Sequence, residues 1–129
     1  MGSDYEQELG AGKAQATLLV LFIPSVDRDS KPIDQQLWVD RALRMLGTCF
    51  GGATAFPRAQ GVWRDDARDG ELIFDEPVII QCYSSEAAIE EEIGPLRDFL
   101  YELGRTTNQG AVGIVIDRDY LEIPFSTDE

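Results

Sequence analysis

The sequence predicts one α+β domain with the ferredoxin-like plait, whose elements follow the order β-α-β-β-α-β. This fold has a four- to five-stranded antiparallel sheet with its helices on one face. Three observations predict it. Continuous apolar runs of strand length lie near both ends of the chain, at residues 18–23 and 111–116. A segment of helical spacing follows the first run and another precedes the second, and two segments of strand character lie between them.

The first third of the chain predicts a polar arm, a strand and a helix. Residues 1–16 are polar and contain glycine, which predicts a flexible N-terminal arm. Residues 17–24 form an apolar run that a proline ends, as is typical of a central strand buried on both faces. Asp34 is a suitable N-cap for a helix that Gly51 ends, because glycine adopts the left-handed conformation readily.

The middle of the chain predicts two strands joined by a turn. Residues 53–64 contain Pro57 and Gly61, which indicate an edge strand or a bulge. Residues 65–70 (DDARDG) have the composition of a turn. Apolar residues alternate along residues 71–83, and this alternation places one set on a shared face: Leu72, Phe74, Val78, Ile80 and Cys82.

The last third predicts a second helix and a final long strand. Residues 84–85 are serines that can cap the helix, and Gly94-Pro95 is expected to kink or split it. Gly104 is expected to end the helix before the apolar strand at residues 111–116. A short last strand is expected at residues 120–124.

These boundaries predict a single α/β domain over residues 17–125, preceded by the arm and followed by a tail at residues 126–129. The chain has 129 residues, which is the usual size of one domain. No apolar run approaches the roughly 20 residues that a membrane-spanning helix needs.

Charge and cysteine usage restrict the partners and the compartment. The formal net charge is −13, with 24 acidic and 11 basic residues, which disfavours direct binding to nucleic acid or to an anionic membrane. The two cysteines, Cys49 and Cys82, lie in no CxxC spacing and have the character of small buried hydrophobes. A reducing, cytoplasmic location is therefore expected.

Several catalytic chemistries lack their side chains. The sequence contains no histidine, which removes the commonest general base, the usual Ser-His and Cys-His pairs and the imidazole ligands of metals. No P-loop is present, because neither lysine follows the required glycine pattern. The sequence predicts no cofactor on this basis.

The segment at residues 65–76 (DDARDGELIFDE) has two interpretations. Its acidic residues partly match a calcium-binding loop, but Ala67 offers no side-chain oxygen and the flanks have strand character. A β-hairpin built on Asp69-Gly70 is the simpler interpretation. Strand alternation also places Glu76 on the apolar face, as a possible buried carboxylate, unless a bulge at Pro77 turns it outward.

Acidic residues follow the first and the last long strands. The first and last long strands are expected to run parallel and side by side in the plait, so that Asp27, Asp117 and Asp119 converge with Asp29 at one edge of the sheet. Carboxylates in such a group could hold Mg²⁺ or Mn²⁺ and support a metal-dependent phosphodiesterase or nuclease. The simpler alternative is that these are ordinary solvated loop residues.

Three central segments resemble a group of small bacterial domains: FGGATAFP (residues 50–57), QGVWRD (60–65) and GELIFDEP (70–77). The resemblance is to a glycine-alanine-threonine strand, a Gly-x-Trp strand and a glutamate on the return of the hairpin. It covers about the middle third of the chain. The resemblance implies a bacterial origin and the plait, and it implies no catalytic or binding residue.

The two long apolar strands suggest a binding role. A plait places helices on one face only, so the second face of these strands needs a cover, such as another copy of the chain or a protein partner on the open sheet face. The leading interpretation is a non-catalytic interaction or regulatory module, as a homodimer or complex subunit. An acidic mimic of DNA is a further alternative to the metal-dependent nuclease. Four residues are candidates for the interface: Trp63, Phe56, Val112 and Ile114.

Overall fold

The structure, a computed structural model, describes residues 3–125, so the predicted tail at residues 126–129 lies outside the described residues. It contains four α-helices, which are α1 (Ser3–Leu9), α2 (Gln35–Phe50), α3 (Glu86–Glu91) and α4 (Ile93–Thr106). The strands are β1 (Thr17–Ile23), β2 (Thr54–Ala55), β3 (Gly61–Asp65), β4 (Glu71–Asp75), β5 (Val78–Ser84), β6 (Ala111–Ile116) and β7 (Asp119–Pro124).

Five of the strands form one antiparallel sheet in the order β2-β5-β1-β6-β7. The first four have the strand order of a ferredoxin-like plait, and β7 extends the sheet by a hairpin with β6. The remaining two strands, β3 and β4, pair only with each other and form a separate two-stranded hairpin. The predicted α+β class with a five-stranded antiparallel sheet is therefore confirmed.

The core lies between the sheet and the helices α2 and α4. In β1 the alternate residues Leu19, Leu21 and Ile23 are fully buried on this side. They pack in one cluster with apolar residues of both helices and of the neighbouring strands. The helices present one apolar stripe each, which is the period-3.6 pattern read from the sequence. Trp38 and Phe99 meet edge to face across the two helices, with ring centroids 6.1 Å apart.

The helix ends follow the sequence signals except at Gly104, where the sequence predicts the end of the second helix but α4 continues to Thr106. The side chain of Asp34 accepts a hydrogen bond from the backbone N–H of Leu37, and Gly51 ends α2 in the left-handed conformation with φ 95°. The second predicted helix is split into α3 and α4 at Glu92. Gly94-Pro95 lies in the first turn of α4, where proline is tolerated because the N–H groups of this turn have no partner within the helix.

The middle of the chain departs from the predicted strands. The predicted strand at residues 71–83 is interrupted at Glu76-Pro77, so its first half pairs with β3 and its second half joins the main sheet. The expected shared apolar face is therefore wrong. Phe74 is 70% exposed and Leu72 is 56% exposed, whereas their expected neighbours in β5 are buried. Proline at the junction cannot donate a ladder hydrogen bond, which favours the break at this point.

Two further features differ from the expectations. Helix α1 forms within the segment predicted to be an arm, and most of its side chains are exposed. On the face of the sheet away from the helices, Leu18, Val20 and Phe22 of β1 are only half-buried. No helix in the described part of the chain is long and apolar enough to cross a membrane.

Gly104 provides a test of how the end of β7 packs on α4. A Cβ at this position would overlap the ring of Phe125, which packs edge to face on Tyr101 with centroids 5.9 Å apart. Replacing a helical glycine by alanine normally stabilises a protein by up to about 1 kcal/mol. We expect Gly104→Ala instead to lower the free energy of unfolding by about 1–3 kcal/mol, through overpacking. Urea denaturation measures the change.

The control is Gly47→Ala in α2, where a new Cβ meets no neighbour within 4 Å. This variant should be as stable as the parent or more stable. In a Phe125→Ala background the Gly104→Ala substitution should no longer be harmful. Equal effects of the two alanine substitutions would contradict the proposed packing.

Candidate functional site

The β3-β4 hairpin is fastened to the loop after β1 by a buried ion pair. The guanidinium of Arg28 lies 3.7 Å from the carboxylate of Asp65, and the two side chains are only 5% and 9% exposed. The other oxygen of Asp65 accepts a hydrogen bond from the backbone N–H of Ala67, which caps the short helical turn at the hairpin tip. Arg28 therefore holds the tip of the hairpin against the sheet.

Arg68 gives the hairpin tip a second connection to the same loop. Its guanidinium donates hydrogen bonds to the carbonyl oxygen of Arg28 at 3.0 Å and to the carboxylate of Asp29 at 2.8 Å. The hydrogen bond from Arg68 lowers the pKa of Asp29 below its usual value. Arg68 therefore connects the turn between β3 and β4 to the loop that follows β1.

The base of the hairpin is fixed by Ser25. One carboxylate oxygen of Asp75 accepts hydrogen bonds from the backbone N–H of Ser25 at 2.7 Å and from its hydroxyl at 2.6 Å. The Ser25 hydroxyl oxygen in turn accepts the backbone N–H of Glu76 at 2.9 Å. Asp75 is therefore held in one orientation while it lines the space beneath the hairpin.

A cleft lies between the hairpin and the half-buried face of the sheet, and we call it the hairpin cleft. Its inner compartment is a cavity of about 200 Å³ under Trp63, floored by β1, β6 and β7. Apolar and aromatic side chains form most of this lining, and the polar lining residues include Asp75, Glu122 and Gln109. Such a combination of apolar walls and few polar groups is typical of small-molecule sites.

The outer compartment of the hairpin cleft adjoins the inner one and is more open. It has a volume of about 670 Å³, and Gly61, Val62 and Asp75 line both compartments. The residues that line only the outer part are Ser25, Val26, Gln60, Phe74 and Glu76. Together the two compartments offer an elongated site with an aromatic end and a polar end.

Tyr120 forms one wall of the inner compartment. Its ring crosses the sheet at Gly113, where any Cβ would overlap it, and meets Phe22 edge to face with centroids 6.3 Å apart. The phenol donates a hydrogen bond to Glu122 at 3.3 Å. Desolvation, followed by the charge and the hydrogen bond of Glu122, raises the pKa of Tyr120, so the phenol stays protonated at neutral pH.

The ionisable groups that line the hairpin cleft are carboxylates and the phenol of Tyr120. Neither cysteine lines it. Burial raises the pKa of both the Cys49 and the Cys82 thiols, which opposes thiolate formation. Within residues 3–125, no lysine or arginine lines either compartment, and the chain has no histidine. The charged groups of the lining are carboxylates only.

The residues predicted to bind a metal do not come together. β1 and β6 run antiparallel, so the end of β1 meets the start of β6, and the expectation of parallel strands is wrong. Asp27 organises its own loop by accepting the backbone N–H groups of Asp29 and Lys31. Asp117 and Asp119 lie beyond the other end of β6, about 20 Å along a strand of this length. No group of three potential ligands occurs in the described residues.

Glu76 is not a buried carboxylate. The break between β4 and β5 turns its side chain outward, where it is 59% exposed and pairs with Arg58 at 3.4 Å. This is the outcome expected from a bulge at Pro77. The hairpin interpretation of residues 65–76 is also confirmed, because β3 and β4 pair with each other on either side of the turn. Asp65, at the end of β3, is buried against Arg28.

The interface candidates have three different environments. Val112 and Ile114 are 4% and 3% exposed and belong to the core beneath the helices, so their assignment to an interface is wrong. Phe56 is 41% exposed and lies beside α2, near the edge of the sheet. Trp63 lines the inner compartment. A homodimer or a protein partner on the open sheet face stays a prediction.

Sequence reasoning missed most of the residues that build the hairpin cleft. Phe22, Asp75 and the β7 residues Tyr120 and Glu122 come from three distant parts of the sequence and lie in no motif. The available signal was the continuous apolar run of β1, which places apolar side chains, Phe22 among them, on both faces of the sheet. A second signal was Trp63 beside a turn, but the sequence does not show on which side of the sheet the hairpin folds.

Solved structures of a phage SAM (S-adenosylmethionine) lyase have the same fold. The structure of this enzyme in complex with S-methyl-5'-thioadenosine has a TM-score of 0.66 and 19% sequence identity, and the match covers 91% of this chain and 95% of the lyase chain. Its structure in the apo state has a TM-score of 0.61 and 18% identity, with 89% and 94% covered. No protein-family model and no curated protein sequence matches this chain.

This likeness overturns the function predicted from the sequence. The prediction of a non-catalytic interaction module rested on the missing catalytic side chains and on the apolar second face. It is wrong, because an enzyme has this fold over nearly its whole length. The likeness to an enzyme also opposes the DNA-mimic alternative, and the separated aspartates remove the metal site proposed for the nuclease alternative.

The Arg28–Asp65 pair predicts a large difference between two neighbouring aspartates. Asp65→Asn removes the buried carboxylate that faces Arg28, and we expect it to lower the free energy of unfolding by about 3 kcal/mol or more. Thermal and urea denaturation measure this loss. Combining it with Arg28→Met should cost less than the sum of the single changes.

Asp66→Asn is the matched control, because Asp66 forms an exposed pair with Arg64 on the outer side of the hairpin. This substitution should leave the stability nearly unchanged. Similar losses for Asp65→Asn and Asp66→Asn would show that the buried pair does not anchor the hairpin.

Gly113→Ala is expected to displace Tyr120 from the wall of the inner compartment. Because desolvation is the main cause of the raised Tyr120 pKa, moving the ring into water should lower this pKa towards the usual tyrosine value. Spectrophotometric titration against a Tyr120→Phe variant isolates the signal of this residue. Gly47→Ala should leave the Tyr120 titration unchanged, and an unshifted titration in Gly113→Ala would refute the proposed contact.

Proposed function

We propose that this chain is a lyase that binds S-adenosylmethionine in the hairpin cleft and releases S-methyl-5'-thioadenosine. One observation carries the proposal. The fold resembles that of a phage SAM lyase, and its hairpin covers an aromatic cleft whose charged lining residues, within residues 3–125, are all carboxylates. This is the environment that a cationic ligand with an aromatic base requires.

The aromatic lining supplies recognition of the adenosine half. Trp63 faces the inner compartment from the hairpin, and Phe22 and Tyr120 face it from the sheet. Stacking of a base on an aromatic side chain contributes about 1–3 kcal/mol, and the sulfonium centre is attracted to aromatic faces as other cations are. Carboxylates such as Glu122 can accept hydrogen bonds from ribose hydroxyls.

The chemistry of the reaction needs no proton transfer. The product retains the methyl group and the adenosine on sulfur, so the bond that breaks joins sulfur to the four-carbon amino-acid chain. The α-carboxylate of the substrate can attack the carbon that carries sulfur, forming a five-membered lactone as the electron pair of the broken bond goes to sulfur. The negative charge of the carboxylate and the positive charge of the sulfonium both disappear. The atoms balance, and neither water nor a base is consumed.

A cleft of this kind can accelerate such a step without a catalytic base. Water stabilises the separated charges of the substrate more than the nearly neutral transition state, so excluding water lowers the barrier. Holding the chain folded, with its carboxylate against the reacting carbon, removes a further entropic cost. The hairpin supports both effects, because it covers the inner compartment and is fixed by Ser25 and Arg28. The absence of histidine is compatible with this reaction.

The test is the release of S-methyl-5'-thioadenosine from S-adenosylmethionine by the purified chain, followed by liquid chromatography. The co-product distinguishes the reaction types, since the lyase forms the lactone and hydrolysis forms the open hydroxy acid. Heat-denatured protein gives the spontaneous background. A rate of S-methyl-5'-thioadenosine release no higher than this background would refute the proposal.

Trp63→Ala tests the position of the site. Loss of the aromatic wall should lower kcat/KM for S-adenosylmethionine by about 10-fold or more, through lost stacking and poorer exclusion of water. Tyr83→Ala is the control, since Tyr83 is an aromatic residue that is 55% exposed and lies outside the lining of the cleft. Equal losses in both variants would place the reaction elsewhere.

A further inference from the structure

The hairpin cleft has charges that suit only part of its proposed ligand. S-Adenosylmethionine carries a sulfonium, an ammonium and a carboxylate. The lining contains the carboxylates of Asp75 in both compartments, of Glu122 in the inner one and of Glu76, which pairs with Arg58, in the outer one. Two of the three charged groups of the ligand therefore meet opposite charges, whereas its carboxylate meets like charges.

Sites that recognise a carboxylate normally present an arginine, a lysine or several backbone N–H groups to it. The arginines near the hairpin are engaged elsewhere. Arg58 pairs with Glu76 and lines a separate groove beside α2, and Arg64 pairs with Asp66 on the outer side of the hairpin. Arg28 is buried against Asp65.

Three of the neutral residues in the lining, Ser25, Gln109 and Tyr120, already donate hydrogen bonds within the protein. Both the backbone N–H and the hydroxyl of Ser25 donate to Asp75. The side-chain amide of Gln109 donates to the carbonyl oxygen of Val26 at 3.0 Å and to Thr107. The phenol of Tyr120 donates to Glu122. A ligand carboxylate could bind these groups only by breaking existing hydrogen bonds.

From this distribution of charge we infer that the hairpin cleft recognises adenosyl sulfonium cations as a class and does not recognise the α-carboxylate of S-adenosylmethionine. The inference rests on the proposed function and specifies its ligand class. A sulfonium that lacks the carboxylate, such as decarboxylated S-adenosylmethionine, then binds at least as tightly as S-adenosylmethionine itself. It is not cleaved, because it lacks the internal nucleophile, and it therefore acts as a competitive inhibitor.

The same arrangement has a chemical consequence for the substrate. A carboxylate bound by arginine is a weaker nucleophile, because the ion pair stabilises its charge before the reaction. A carboxylate left without a cation keeps its reactivity, and the positive sulfur of its own molecule attracts it towards the reacting carbon. The cleft thus leaves the chain of the substrate free to fold on itself.

The test compares three ligands on the intact chain by inhibition of S-methyl-5'-thioadenosine release and by calorimetry. Decarboxylated S-adenosylmethionine should inhibit competitively, with a constant equal to the KM of S-adenosylmethionine or up to about 10-fold lower, and this preference should shrink as salt is added. S-Adenosylhomocysteine, which keeps the amino-acid group but has neutral sulfur, should bind about 10-fold more weakly or worse.

Charge-removing variants assign the effect to the cleft. Asp75→Asn and Glu122→Gln should each weaken binding of decarboxylated S-adenosylmethionine, since each removes one negative charge with little change of shape. Glu91→Gln, on the exposed side of α3, should leave it unchanged.

Two results would overturn the inference. If the chain cleaves S-adenosylmethionine but binds the decarboxylated ligand at least 10-fold more weakly, the carboxylate is recognised, and the inference falls while the proposed function stands. If the chain neither forms S-methyl-5'-thioadenosine nor binds either sulfonium, both fall together.

Discussion

The position of the hairpin depends most on one buried ion pair, to which Arg68 and Ser25 add hydrogen bonds. Arg28 follows β1, and Asp65 ends β3, so their contact joins the central strand of the sheet to the tip of the hairpin. A buried pair of this kind contributes little net stability compared with apolar packing, but it costs much to break and fixes one arrangement of the parts it joins. Without it, nothing in the strand pairing would hold the hairpin over the sheet, because β3 and β4 pair only with each other.

The position of the hairpin resolves the apolar character of β1 and β6. In a plait the face away from the helices has no second layer, yet both strands are apolar on both faces. Here the second face is only half-buried, and near the end of β1 it forms the floor of a cleft. An apolar face that is neither core nor open surface is what a ligand with a flat base needs. The apolar strands that suggested a protein partner are therefore equally suited to form one wall of a small-molecule site.

The sequence predicted those parts of the fold that depend on local pattern. The period of both long helices, the cap at Asp34 and the end at Gly51 are local, and the structure confirms them. The break at Pro77 was predicted only as an alternative. The alternation of apolar residues continues in the sequence from β4 to β5, although the two strands pair with different partners. The candidate site could not be found in this way. The position of the hairpin depends on contacts between residues about 40 positions apart, such as Arg68 with Arg28, and strand direction was misjudged for Asp27 and Asp117.

The effect of the acidic composition on binding depends on the charge of the ligand. A net charge of −13 repels nucleic acid and other polyanions, and taken alone it also describes a merely soluble surface. For a cationic sulfonium the same charge raises the local concentration around the protein and focuses the field into a cleft with apolar walls. This long-range attraction is screened by salt, whereas the contact with Asp75 and Glu122 inside the cleft is screened less. Association should therefore slow as the ionic strength rises while discrimination between charged and neutral sulfur largely remains, which separates the role of the surface from the role of the cleft.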